Sequence, residues 1–187
     1  MSGGDVLTGL PPVVAPDCRV LVLGSMPGVA SLQAARYYAH PRNRFWPVMA
    51  ELAHLVPDAS YADRLAALQR AGIGLWDVIG QCRRSGSLDS AIVRGSERAN
   101  PIADLARGLD GLCGIALNGG TAATMFKRHV APQLDEGLRH RVRIIALPST
   151  SPAHAAMDLA RLREAWGVLR PLLPASAVRG SRGRTQP

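Results

Sequence analysis

A chain of 187 residues, 47% of them apolar, is long enough to build one core of ordinary size and too apolar for a disordered chain. No apolar run approaches the roughly 18 residues that a membrane-spanning helix needs. Residues 1–5 lack the basic start and apolar stretch of a secretory signal, so the cytoplasm is the expected location. The net charge of +8 favours a polyanionic partner, because Lys127 is the only lysine among 22 basic residues and arginine pairs with phosphate in a forked geometry.

Residues 1–16 are rich in Gly and Pro and are expected to form an irregular leader. Residues 19–24 (RVLVLG) read as a buried strand ended by a Gly/Pro turn. A long loop over 25–43 follows, and a loop of that length in a compact domain is usually functional. Helices are expected over 45–55 and 61–71, and a strand over 73–79 (IGLWDVI). Residues 81–100 are polar and read as a second long loop, before a helix that Pro101 opens. Residues 114–118 (GIALN) read as a strand, 121–129 as a helix, 142–147 (VRIIAL) as the last strand and 158–173 as the last helix.

Strands that are short apolar runs alternating with helices point to a parallel sheet covered on both faces. The domain is expected over 17–174, with a disordered basic tail at 175–187 that carries Arg179, Arg182 and Arg184. Cys18, Cys82 and Cys113 are scattered and odd in number, which gives neither a disulfide framework nor a metal pair; they read as small buried hydrophobes. No cofactor is expected.

Ligands of such sheets bind at the carboxyl ends of the strands, which here lead into loops beginning at Gly24, Gly80, Asn118 and Pro148. On the first loop Tyr37 and Tyr38 are adjacent, and either one could stack on a nucleobase while the other packs beneath the loop. Asn43 can hold a water or contact a base edge, or it can cap the next helix. Asn118, followed by two glycines, can read a flipped base or can be a turn residue. The fourth loop (PSTSPAH) offers Ser149, Thr150 and Ser151 to phosphate oxygens or to helix capping, and His154 reads as a surface histidine or a site residue. Asp77, Asp89 and Glu97 lie near the second loop without a decisive spacing. No zinc-protease or serine-hydrolase motif appears.

GSMPG after the first strand resembles motif one of the uracil-DNA glycosylase superfamily. AHPRNRFW is similar to a segment of its mismatch-specific uracil/thymine branch. LPSTSPAH, with YYAHPRNRFWP and WDVIGQCRRSGSLDSAI, most resembles the hypoxanthine-DNA glycosylase branch, and the likeness covers about residues 19–170. It implies a three-layer α/β/α sandwich around a four-stranded parallel sheet, and hydrolysis of the N-glycosidic bond of a deaminated deoxynucleotide, hypoxanthine favoured over uracil. It places Asn43 in catalysis and Tyr38, Asn118, Ser25 and Met26 around the base. Gly28, His40, Arg42, Gly119, Ser149, Thr150, Ser151 and His154 are placed on the DNA.

Two departures stand out. Met26 occupies the place before the motif-one proline where many relatives carry Asp or Asn, and Leu147 the place where motif two often begins with His or Asn. Water handling then passes to Asn43. With Lys127 inside a helix and no other lysine, a monofunctional enzyme is expected, one that leaves an abasic site. The substrate expected is double-stranded DNA, with single strands a second option, and the expected form is a monomer. The alternatives are a uracil/thymine mismatch glycosylase and a damaged-DNA binding protein without chemistry.

Overall fold

Val20 to Leu23 contains no polar side chain because its strand is covered on both faces. Val20 and Val22 pack into one core and Leu21 and Leu23 into another, the alternation that a pleated strand imposes. A computed structural model describes residues 6–154 and 156–175; the expected basic tail beyond them, with Arg179, Arg182 and Arg184, lies outside the described residues.

In chain order the strands are β1 (Val6–Thr8), β2 (Val20–Gly24), β3 (Ile73–Asp77), β4 (Ile79–Arg83), β5 (Arg98–Ala99), β6 (Gly114–Asn118) and β7 (Arg143–Leu147). The helices are α1 (Val29–Ala34), α2 (Phe45–Leu52), α3 (Tyr61–Arg70), α4 (Ile102–Arg107), α5 (Gly120–His129), α6 (Glu136–Arg141) and α7 (Leu159–Trp166). The main sheet has the order β3-β2-β6-β7 and is parallel throughout. Helices α2, α3 and α7 cover one face through Phe45, Met49, Leu68, Leu162 and Trp166. The other face is covered by α4, α5 and α6 through Ile102, Ala106, Phe126 and Leu138. This is the expected three-layer sandwich.

The chain leaves β2 toward β3 on one side and returns to β6 on the other. The strand order therefore reverses between β2 and β6, and such a reversal opens a crevice at the carboxyl ends of the strands. Gly24 and Asn118 end the two strands that border it.

The fold departs from expectation mainly where polar segments are ordered. Within the leader expected to be irregular, Val6–Thr8 pairs antiparallel with β4, and Val13 bridges to Leu75. The second long loop holds β4 and β5, so the chain folds a small antiparallel sheet β1-β4-β5 from residues whose exposed side chains hide the strand signal. Helix α6 escapes a periodicity reading because Leu138 is its one buried residue; Asp135 caps it, accepting from Leu138 N–H at 2.8 Å. The last helix tightens into a 3-10 turn over Gly167–Leu172, where Pro171 supplies no N–H to continue the α-helical ladder. Cys18, Cys82 and Cys113 are free thiols.

No helix among the described residues is long and apolar enough to cross a membrane, and none of their His, Cys, Asp and Glu side chains form a group of three that could hold a metal ion.

Candidate functional site

A cavity of about 470 Å³ opens at the reversal point, a size typical of small-molecule sites. Its floor is the end of the sheet. Gly24 pairs in register with Asp77 on one side, and Leu23 with Leu117 on the other, so Gly24 lies between Asp77 and Asn118. Alternation turns all three positions toward the face that carries Val20, Val22, Leu75 and Ala116. The missing side chain of Gly24 makes room for the Asp77 carboxyl, so the slot at this end of the sheet is walled by Gly24, Asp77 and Tyr38. A methyl group there would collide with Asp77 Oδ1 and lie 3.5 Å from Tyr38 Oη.

Asn118 is 8% exposed and is fixed by Thr150, whose N–H donates to Oδ1 at 2.9 Å. Its Nδ2 donates to Thr150 Oγ1 at 3.0 Å and to Tyr38 Oη at 3.3 Å. Thr150 lies in the cavity wall but is fully buried, with its hydroxyl engaged by Asn118, which corrects its expected place on the DNA surface. The conformation of Gly119, with φ +99°, carries the chain from β6 into α5, and a Cβ there would press on Ser149 at 2.9 Å.

The two tyrosines divide their tasks. Tyr37 is buried and donates its hydroxyl to Pro11 O at 2.8 Å, packing beneath the loop. Tyr38 lines the cavity, in the left-handed region at φ +54°. Its ring stacks on Phe45 with centroids 3.8 Å apart and planes at 17°. Burial and the nearby Asp77 carboxyl raise its phenol well above the ordinary range. Asn43 also lines the cavity, and its Oδ1 accepts from Phe45 N–H, the first amide of α2, at 2.9 Å; Arg44 is the N-cap, and Asn43 braces the helix start from one residue before it.

Ser25, Met26, Gly28, His40, Gly119, Ser149, Ser151 and His154 all line the same cavity; Arg42 is exposed and outside it. Met26 is largely withdrawn from the cavity into a small cluster with Ile79 and Cys82.

Two residues that the sequence did not single out, Arg44 and Arg84, hold the loops together. Arg44 donates to Ser151 O at 3.1 Å, to His154 O at 2.6 Å and to Met157 O, which pins the fourth loop to the start of α2. The Arg84 side chain is fully buried; it donates to Pro27 O and to Gly86 O, the latter at 3.0 Å, and lies 4.0 Å from Asp89. Asp89 in turn accepts from Ser25 Oγ at 2.7 Å, so the first and second loops form one wall. No sequence signal marked Arg84. Glu97 is buried beside Arg128, 3.4 Å away, and backbone hydrogen bonds hold its carboxyl below the usual range.

Asp77, one of the carboxylates offered near the second loop, is part of the site. It is 4% exposed, lines the cavity, and its Oδ2 is buried without a hydrogen-bond partner. Burial pushes its pKa up to about 7; Asp89 adds to the rise and Arg84 opposes it. A charged residue inside the apolar run IGLWDVI was the available signal.

Residues 11–170 match the uracil DNA glycosylase superfamily, and the chain belongs to that superfamily. A hypoxanthine DNA glycosylase of Methanosarcina acetivorans is 32% identical over 163 residues, which span 87% of this chain and 97% of that protein. A hypoxanthine DNA glycosylase of Methanosarcina barkeri is 40% identical over 85 residues, 45% of this chain and 54% of that protein. A solution NMR structure of a Methanosarcina acetivorans protein superposes with a TM-score of 0.72 at 29% identity, covering 90% of this chain and 99% of that one.

Proposed function

We propose that this chain is a monofunctional DNA glycosylase that hydrolyses the N-glycosidic bond of a deaminated base, hypoxanthine before uracil. The observation that carries the reading is the slot over Gly24: a recess at the sheet end, flanked by Asn118, roofed by Tyr38 and bordered by Asn43. A base reaches such a recess only when extruded from the duplex, and a deaminated base pairs poorly and so is cheaper to extrude.

In this reading Asn118 Nδ2, held in place by Thr150, exchanges Tyr38 Oη for an acceptor on the base and stabilises negative charge as the bond breaks. Thr150 is a positioning residue that fixes the carboxamide. Asn43 keeps Oδ1 on the Phe45 amide and offers its own side-chain amide to the attacking water. Ser25 and Met26 border the base. The backbone of Gly28 and Gly119, the hydroxyls of Ser149 and Ser151, and His40, Arg42 and His154 form the DNA-facing rim. The start of α5, where Gly119 and Gly120 line the cavity mouth, suits a phosphate. Lys127 is exposed on α5 and outside the cavity, which supports base removal without a Schiff base. The proposed substrate is duplex DNA, the form a monomer and the compartment the cytoplasm.

Duplexes with one hypoxanthine, uracil or xanthine, treated with alkali after incubation, test the reading. Abasic sites should form with the wild type and fall sharply with Asn43→Ala and Asn118→Ala. Tight damage-dependent binding with no base release would establish the second reading, a binding protein, which the apolar Met26 and Leu147 favour.

A further inference from the structure

Asp77 takes none of the steps assigned to Asn43 and Asn118, yet it is a carboxyl only 4% exposed that lines the cavity. Its Oδ2 is buried with no partner, and its Oδ1 lies over Gly24, in the space a Cβ there would take. An unpaired buried carboxyl is costly to keep unless a ligand completes it. The Tyr38 hydroxyl also lies near that space and is already reached by Asn118 Nδ2.

The charges around it decide which protonation state is useful. Arg84, at the end of β4, is fully buried and turned to Pro27 O and Gly86 O. Asp89, from the 3-10 turn over Asp89–Ala91, lies between Arg84 and Ser25 and repels a second negative charge. Tyr37 and Tyr38 face Asp77 from the first loop as neutral phenols, and His40 and His154 stand at the cavity wall. A carboxylate here would also oppose the charge that develops on a departing base. A neutral carboxyl would stabilise that charge by donating to it.

We infer that Asp77 is a second catalytic residue, a neutral acid that donates its proton to the departing purine from the floor of the slot. The inference rests on the glycosylase reading above. The C1′–N9 bond breaks and its electron pair stays on the purine. The Asp77 proton passes to a purine acceptor atom, which leaves neutral hypoxanthine and an Asp77 carboxylate. Water held by Asn43 adds to C1′ and releases a proton, and a proton from solvent restores the carboxyl. A purine offers ring-nitrogen acceptors beyond its carbonyl edge, so acid assistance of this kind suits hypoxanthine.

The test is single-turnover base release from a hypoxanthine duplex between about pH 5 and 9, with Asp77→Asn alongside. The wild-type rate should be level on the acid side and fall about tenfold per unit above about pH 7. At pH 6, Asp77→Asn should be slower by about 10- to 100-fold, with a flat profile and unchanged duplex affinity. A wild-type rate that is flat or rises with pH would overturn the inference even if the variant failed to fold. Equal rates and profiles in the two proteins would overturn it as well, while leaving the glycosylase reading intact. Absence of base release by the wild type at every pH would remove both.

Discussion

Thr150 holds Asn118 from two sides: its N–H donates to Oδ1 at 2.9 Å, and its hydroxyl accepts from Nδ2 at 3.0 Å. Asn118 therefore presents one fixed donor direction to the cavity, toward Tyr38 Oη. Preorganised donors need no rearrangement when charge develops, which is where most of their benefit lies.

Thr150→Val keeps the shape and removes the acceptor. It should lower single-turnover base release by about tenfold, with duplex affinity unchanged. It should cost about 1 kcal/mol of stability, read from a urea melt. A loss of affinity with an unchanged rate would show that the pair serves binding alone.

The double position of Asn43 separates two effects. Asn43→Ala removes both the acceptor of the Phe45 amide and the side-chain amide, so stability should fall by about 1 kcal/mol and base release by at least about 100-fold. Asn43→Ser retains a side-chain oxygen that can accept from the Phe45 amide. It should recover the stability in a thermal melt and leave base release depressed.

Asp77 gives a pH dependence of stability with a definite sign. Its carboxyl is pushed up to about 7 in the folded protein, well above the ordinary range of an aspartate. The native state thus holds a proton that the unfolded chain has lost. The stability linked to Asp77 is full below about pH 4, declines as pH rises, and is gone above about pH 7, for a difference on the order of a few kcal/mol. Urea melts across that window should show the wild type losing stability relative to Asp77→Asn as pH rises. Parallel curves would show that the folded carboxyl titrates normally.

The layers of the fold were legible because buried parallel strands are nearly all apolar. Residues 114–118 were read with the observed bounds, and Asn118 and Gly119 fell where strand and helix meet. The ordered part of residues 79–99 was not legible, since its strands face solvent on one side and its anchors, Arg84 and Glu97, find partners far along the chain. The site was half legible. Asn43, Tyr38 and Asn118 carry side chains whose chemistry can be read at a strand end or in a loop. Thr150 was read as surface because a hydroxyl in a loop gives no sign of burial. The slot over Gly24 depends on register between β2 and β3, which no local pattern encodes.

Lys127 is remote from the cavity, so Lys127→Ala should leave base release unchanged, and borohydride should trap no protein–DNA adduct through it. An adduct lost in Lys127→Ala would establish strand cleavage through that amine.

The most direct measurement is the appearance of free base: incubate the wild-type protein with a duplex containing one hypoxanthine and detect released hypoxanthine by chromatography, with the abasic strand uncut until alkali is added. Release of one base per lesion, lost in Asn118→Ala, is the predicted result. Intact substrate after prolonged incubation with excess folded protein would contradict the glycosylase reading of the slot over Gly24.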